Sequence, residues 1–130
     1  MAKVKSYLIE SNERYKIIGA MFNIVSELKS RKEIIDFFIG LFTPSEAVMM
    51  ARRIQIAQLL IDEESYDSIK KKLKVSFQTI TKTERWLHTE DEGYNKWLEN
   101  CLKKKTIKKT QEYNLLDKYA HHRMLRKLLT

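Results

Sequence analysis

Apolar residues recur along this 130-residue chain at helical spacing, and hardly anywhere at the spacing of two that marks a strand. Over residues 12–29, Ile17, Met21, Ile24 and Leu28 form one stripe, with Tyr15, Ile18, Phe22 and Val25 forming a second beside it. Together they cover about half of the helix circumference, wider than the roughly 100° that burying one face requires. Such a helix wants neighbours on two sides. Two arrangements satisfy it: a second subunit, which is the reading taken here, or a central place in a monomer.

Start signals divide the rest of the chain. Ser30 with Glu33 reads as a capping box opening a helix over 31–41 that buries Ile34, Ile35, Phe37, Phe38 and Leu41. Thr43-Pro44-Ser45-Glu46 is a stronger start, with an N-cap threonine, proline at the first helical position and a closing glutamate. The helix it opens reaches Ile61, with Val48, Ala51, Ile54, Leu59 and Ile61 as core candidates. Residues 65–87, SYDSIKKKLKVSFQTITKTERWL, then read as two short helices joined at Lys74-Val75. Ser65 caps the first, which turns Tyr66, Ile69 and Leu73 inward; Val75 plugs the junction. Ser76 caps the second, where Ile80, Thr83 and Leu87 share a face. The other face carries Gln78, Thr81, Lys82 and Arg85, donors suited to phosphates and base edges. A hairpin of this kind fits a DNA reader, and equally a plain scaffold or partner contact. The Lys70-Lys71-Lys72 run alone is compatible with a solvated face.

Composition narrows the field. Three glycines and one proline favour long helices over a turn-rich β fold. The single cysteine, Cys101, rules out an intrachain disulfide and reads as a semi-buried small hydrophobe in a reducing compartment. With no apolar run of membrane length and no apolar secretion signal at the start, the expectation is a cytoplasmic protein away from membranes. Net charge is +8, unevenly placed: residues 101–130 hold nine Lys or Arg against Glu112 and Asp117, a net +7, while the rest is near neutral. A near-neutral body with a basic extension suggests a polyanionic partner. The extension, in part helical by its apolar content, is open to DNA contact, RNA contact or docking on the dimer.

Enzymatic readings find no support. Adjacent His121 and His122 point apart on a helix, and His88 beside Glu90, Asp91 and Glu92 reads as an exposed acidic loop. No glycine-rich phosphate loop or nucleophile motif is present, and no cofactor or metal is expected.

Four segments in order, FFIGLFTPSE (37–46), ARRIQIAQLL (51–60), SYDSI (65–69) and VSFQTITK (75–82), resemble the Trp repressor family. Within it they resemble the branch of short bacterial Trp-repressor-like proteins of the YerC/YecD type, and Glu92-Gly93-Tyr94 is similar to that branch's glycine-tyrosine ending. The resemblance covers about residues 12–97. It implies an all-α, intertwined homodimer with one helix-turn-helix per chain: residues 1–100 for dimerisation and DNA binding, with the helix-turn-helix at about 65–87, and 101–130 as a basic extension. It implies that Lys70 contacts phosphate, that Phe77, Gln78 and Thr79 lie near base edges, and that Thr81 lies near the backbone. Lys72, Lys74, Ser76, Lys82 and Arg85 complete the expected DNA-binding set.

Two departures stand out. Lys74 occupies a turn position where the family commonly has glycine, which predicts a left-handed residue. In tryptophan-responsive members, two arginines sandwich the indole; here they correspond to Arg53 and Lys82, with Thr83 in place of a small residue. A lysine lacks the flat guanidinium plane that stacks on a ring, so a corepressor, if any, is not expected to be tryptophan. Arg53 also fits a plain helix-surface ion pair. The leading reading is a sequence-specific DNA-binding transcriptional regulator acting as a homodimer, with repression favoured over activation as its sign. The alternative is a dimeric protein-interaction adaptor with only non-specific nucleic-acid affinity.

Overall fold

The computed structural model describes residues 5–103. After a single 3-10 turn at Ser6–Leu8 come six helices: α1 Ser11–Ser26, α2 Arg31–Leu41, α3 Pro44–Ile61, α4 Tyr66–Leu73, α5 Phe77–Leu87 and α6 Glu92–Leu102. No strand occurs among the described residues, and none of their helices is long and apolar enough to cross a membrane. The helices fall into two compact units, divided between Leu41 and Phe42.

The first unit holds α1 and α2. Helix α1 ends three residues before the expected Lys29, where Glu27 and Leu28 turn back to the carbonyls of Ile24 and Val25. In α2 the Ser30 hydroxyl accepts from the Glu33 N–H at 3.1 Å, but the Glu33 carboxylate accepts from Lys29 N–H, one residue before the cap. Phe37 and Phe38 meet edge to face, 5.3 Å between centroids. None of the described residues in this unit is buried: Tyr15 is 79% exposed and Phe22 60%. Ile34 and Leu41, expected in the core, are exposed as well.

The second unit packs α4, α5 and α6 against α3. Its start follows the expected box: the Thr43 hydroxyl accepts from Glu46 N–H at 3.2 Å and the Glu46 carboxylate accepts from Thr43 N–H at 2.9 Å, with Pro44 in the first turn. These bonds, the backbone one foremost, hold the Glu46 carboxyl below the ordinary carboxylate range. The end of α3 closes with Glu63 in the left-handed region at φ 61°; Glu63 N–H returns to Leu60 and Glu64 N–H to Leu59, each at 3.0 Å. This is the paired bonding that satisfies the last helical carbonyls, achieved without the usual glycine.

Consecutive residues of α3 serve two cores. Ile56, fully buried, joins Ile69 of α4 and Ile80 of α5, with Leu59, Tyr66, Leu73 and Val75 around them. Ala57 joins Leu87 of α5 and Leu98 and Leu102 of α6, flanked by Leu60, Ile61 and Trp86. The roughly 100° step between neighbouring helical positions directs each to a different side. The core candidates Val48, Ala51 and Ile54 are corrected by this arrangement: they are exposed, because burial concentrates in the C-terminal half of α3, where α4, α5 and α6 converge. Helix α6 goes beyond the expected elements. Asp91 caps it by accepting from Tyr94 N–H at 3.0 Å, and Gln58 of α3 donates to the Leu102 carbonyl at 3.0 Å. Cys101, expected to be half-buried, is exposed on α6. The expected extension lies outside the described residues from residue 104 on, as do His121 and His122.

Candidate nucleic-acid interface

Helices α4 and α5 are built from the caps outward. The Ser65 hydroxyl accepts from Ser68 N–H and that of Ser76 from Thr79 N–H, each at 3.2 Å, satisfying one orphan donor at each helix start. Between the helices Lys74 adopts φ 53°, ψ 46°, and its N–H returns to the Lys70 carbonyl at 2.8 Å. That left-handed step is the one expected at the glycine position. Val75 packs against the isoleucine core, so the junction is anchored from inside.

On α5 the inward face is as expected: Ile80, Thr83 and Leu87 are all buried. The Thr83 hydroxyl donates to the Thr79 carbonyl at 2.9 Å, so its one polar group is satisfied within the helix. Gln78, Lys82 and Arg85 are exposed on the same helix, and Lys70, Lys71 and Lys74 are exposed on α4 and the turn. The first turn of α5 has no acidic residue. Its partial positive charge is therefore not offset by a local carboxylate.

The other expected contact residues are engaged within the protein. The Ser76 and Thr79 hydroxyls lie 2.8 Å apart in the cap, and the Thr81 hydroxyl donates to the Phe77 carbonyl at 3.0 Å. Phe77 is exposed, with its ring 5.1 Å from that of Tyr66. Lys72 is paired with Glu64, Nζ to Oε1 at 2.7 Å. Sequence reasoning passed over Glu64, which stands immediately before the α4 cap.

Arg53, Lys82 and Thr83, the expected effector residues, line one groove of about 980 Å³ between α3 and α5. Its walls include Met49, Met50, Ile54 and Trp86, none of which the sequence singled out for this role. The groove is mainly apolar, its lining includes the cationic side chains of Arg52, Arg53 and Lys82, and Thr83 contributes bulk without a free hydroxyl. No cluster of His, Cys, Asp and Glu among the described residues has the arrangement to hold a metal ion, His88 and its acidic neighbours included.

Comparison with known proteins gives a family match and a relative. The profile of the family described as Trp repressor protein matches residues 13–102, from the first turn of α1 to the end of α6. A Bacillus subtilis (strain 168) protein carrying the name Uncharacterized protein YerC is 28% identical over 93 residues, covering 72% of this chain and 89% of its own. No solved structure gives a significant match.

Proposed function

The chain belongs to the Trp repressor family, and from that premise we propose that it is a sequence-specific DNA-binding transcriptional repressor acting as a homodimer, with α4 and α5 as its helix-turn-helix. One observation carries the reading. Helix α5 buries Ile80, Thr83 and Leu87 while leaving Gln78, Lys82 and Arg85 in solvent, the division required of a helix that enters a major groove. In this reading Gln78 and Arg85 meet base edges, Lys70, Lys74 and Lys82 meet phosphates, and Ser76, Thr79 and Thr81 hold the backbone of the reading helix in shape. Phe77 offers an apolar edge to a thymine methyl. The exposed apolar residues of α1 supply the dimer interface, residues 1–100 form the dimerising and reading body, and the basic extension adds sequence-independent phosphate affinity.

Fragments recovered by genome-wide DNA co-purification, set against scrambled duplexes, provide the test. The full chain is expected to prefer the recovered fragments, and Gln78→Ala to lose about 1–3 kcal/mol of that preference. Equal affinity for both duplex classes, unchanged by Gln78→Ala, favours instead the dimeric adaptor with only non-specific nucleic-acid binding. The groove at Arg53 and Lys82 is proposed not to take tryptophan, since neither the lysine nor the bulk of Thr83 suits a stacked indole. Calorimetric titration with L-tryptophan is expected to give no saturable heat.

A further inference from the structure

Among the basic residues of the helix-turn-helix, Lys72 alone has a carboxylate within ion-pair distance among the described residues; Lys70, Lys71, Lys74, Lys82 and Arg85 have none. Its partner, Glu64, is the residue immediately before the α4 cap, and its backbone is fixed by the bond from its N–H to the Leu59 carbonyl at the left-handed end of α3. Both carboxylate oxygens are used: Oε1 pairs with Lys72 Nζ at 2.7 Å, and Oε2 accepts from the Ser68 hydroxyl at 2.5 Å. Ser68 and Lys72 lie at i and i+4 on α4, and the Glu64 side chain reaches both from ahead of the cap. The Glu64 side chain is 28% exposed and that of Lys72 52%, so the acid is the better-anchored partner and the lysine is drawn to it.

We propose that Glu64 limits DNA affinity by keeping Lys72 out of the set of phosphate-neutralising residues. The inference rests on the DNA-binding reading above and adds a tuning residue to that surface. Each phosphate neutralised by a lysine releases condensed counterions, contributing about 0.9 to the slope of log K against log salt. A lysine compensated by a fixed carboxylate contributes little, because an approaching phosphate must share the ammonium and draw near a second negative charge. Glu64 acts alike on all sequences, since a phosphate contact carries no sequence information.

The test compares the full chain with Glu64→Gln, Lys72→Gln and the double variant, on recovered and scrambled duplexes across a salt series, with Asp67→Asn as a control for general loss of negative charge. Glutamine keeps the length of Glu64 and one oxygen that can still accept from Ser68, and thermal melting followed by circular dichroism checks that each variant folds. Glu64→Gln is expected to tighten binding to both duplexes by about fivefold to tenfold at 0.1 M salt and to steepen the slope by about one. Lys72→Gln alone leaves the slope near that of the parent, and the double variant loses the gain. An unchanged slope in Glu64→Gln, or a gain that survives in the Lys72→Gln background or appears equally in Asp67→Asn, overturns the proposal while leaving DNA binding intact. So does a slope reduced by one in Lys72→Gln. If the parent protein binds neither duplex, the DNA-binding reading itself fails and takes this inference with it.

Discussion

Helices α1 and α2 are as rich in apolar side chains as helices α3 to α6, yet the two units treat them differently. In the second unit Ile56, Ile69 and Ile80 close a core from three helices, and Ala57, Leu87, Leu98 and Leu102 close another. In the first, Ile17, Ile18, Met21, Phe22 and Ile24 all stay exposed, on two adjoining stripes. Leaving that many large apolar side chains in water forgoes about 1.5–3 kcal/mol for each one that burial would stabilise. The second unit therefore has a core made from its own helices, whereas the first has an apolar surface suited to a partner. Within α3 the same contrast recurs on a smaller scale, between exposed Val48, Met49 and Met50 at one end and buried Ile56 and Ala57 towards the other.

The largest expected effect comes from breaking the proposed role of the first unit. Met21→Asp combined with Ile24→Asp places two charges on the exposed stripe. Sedimentation equilibrium is expected to show the parent at twice the 15.5 kDa chain mass and the variant at the single-chain mass. A parent that sediments as one chain removes the dimer from the account. Next in size is a cavity in the second unit. Ile80→Ala, at a fully buried position shared by α3, α4 and α5, is expected to lower stability by about 2–5 kcal/mol in urea denaturation. A loss well under 1 kcal/mol places the core elsewhere.

Smaller effects sharpen the local geometry. Lys74→Gly relieves a left-handed lysine, whose conformation costs roughly 1–2 kcal/mol, against about 0.5–1 kcal/mol of added backbone entropy. The expected net is a stabilisation of up to about 1.5 kcal/mol, read as a higher urea midpoint with unchanged slope. The smallest effect is the pH response of the α3 cap. Because the Glu46 carboxyl is held below its ordinary range by Thr43, its contribution is complete above the unfolded-state pKa and is lost as pH falls through the lower folded-state value. Following the Glu46 carboxyl by NMR is expected to show titration below that of a glutamate in the unfolded chain, and Glu46→Gln to remove that acid-side step from the stability curve.

Local chemistry was the readable part of the sequence. Thr43, Ser65 and Ser76 mark the starts of α3, α4 and α5, because a capping hydroxyl needs only residues within one turn to act. The inward face of α5 followed from spacing, and the left-handed Lys74 from the glycine that the resembled family commonly has at that turn. Whatever depended on distant neighbours was harder. Every face of α3 carries apolar residues, so periodicity could not say which half would be covered. Helix α6 was hidden by the acidic run before it, although Asp91 as cap and Tyr94, Leu98 and Leu102 at spacings of four form a legible pattern. Glu63 escaped notice as a left-handed residue because nothing in a glutamate announces it. The Glu64–Lys72 pair was missed because Lys72 was read with its basic neighbours, when its place on the helix puts it with the acid before the cap.

The hydrogen bond from Trp86 Nε1 to the Tyr94 hydroxyl, 3.0 Å long, links α5 to the first turn of α6. The second tryptophan, Trp97, lies on α6 with its ring 5.8 Å from that of Tyr94 and is 58% exposed. Two indoles in unlike surroundings form a native optical gauge. A neutral quencher such as acrylamide reaches Trp97 readily and the half-buried Trp86 less so, giving two Stern–Volmer components. Because Trp86 belongs both to α5 and to the wall of the groove at Arg53 and Lys82, its emission reports on small molecules entering that groove without any added dye. A screen for an effector can thus read the protein's own light.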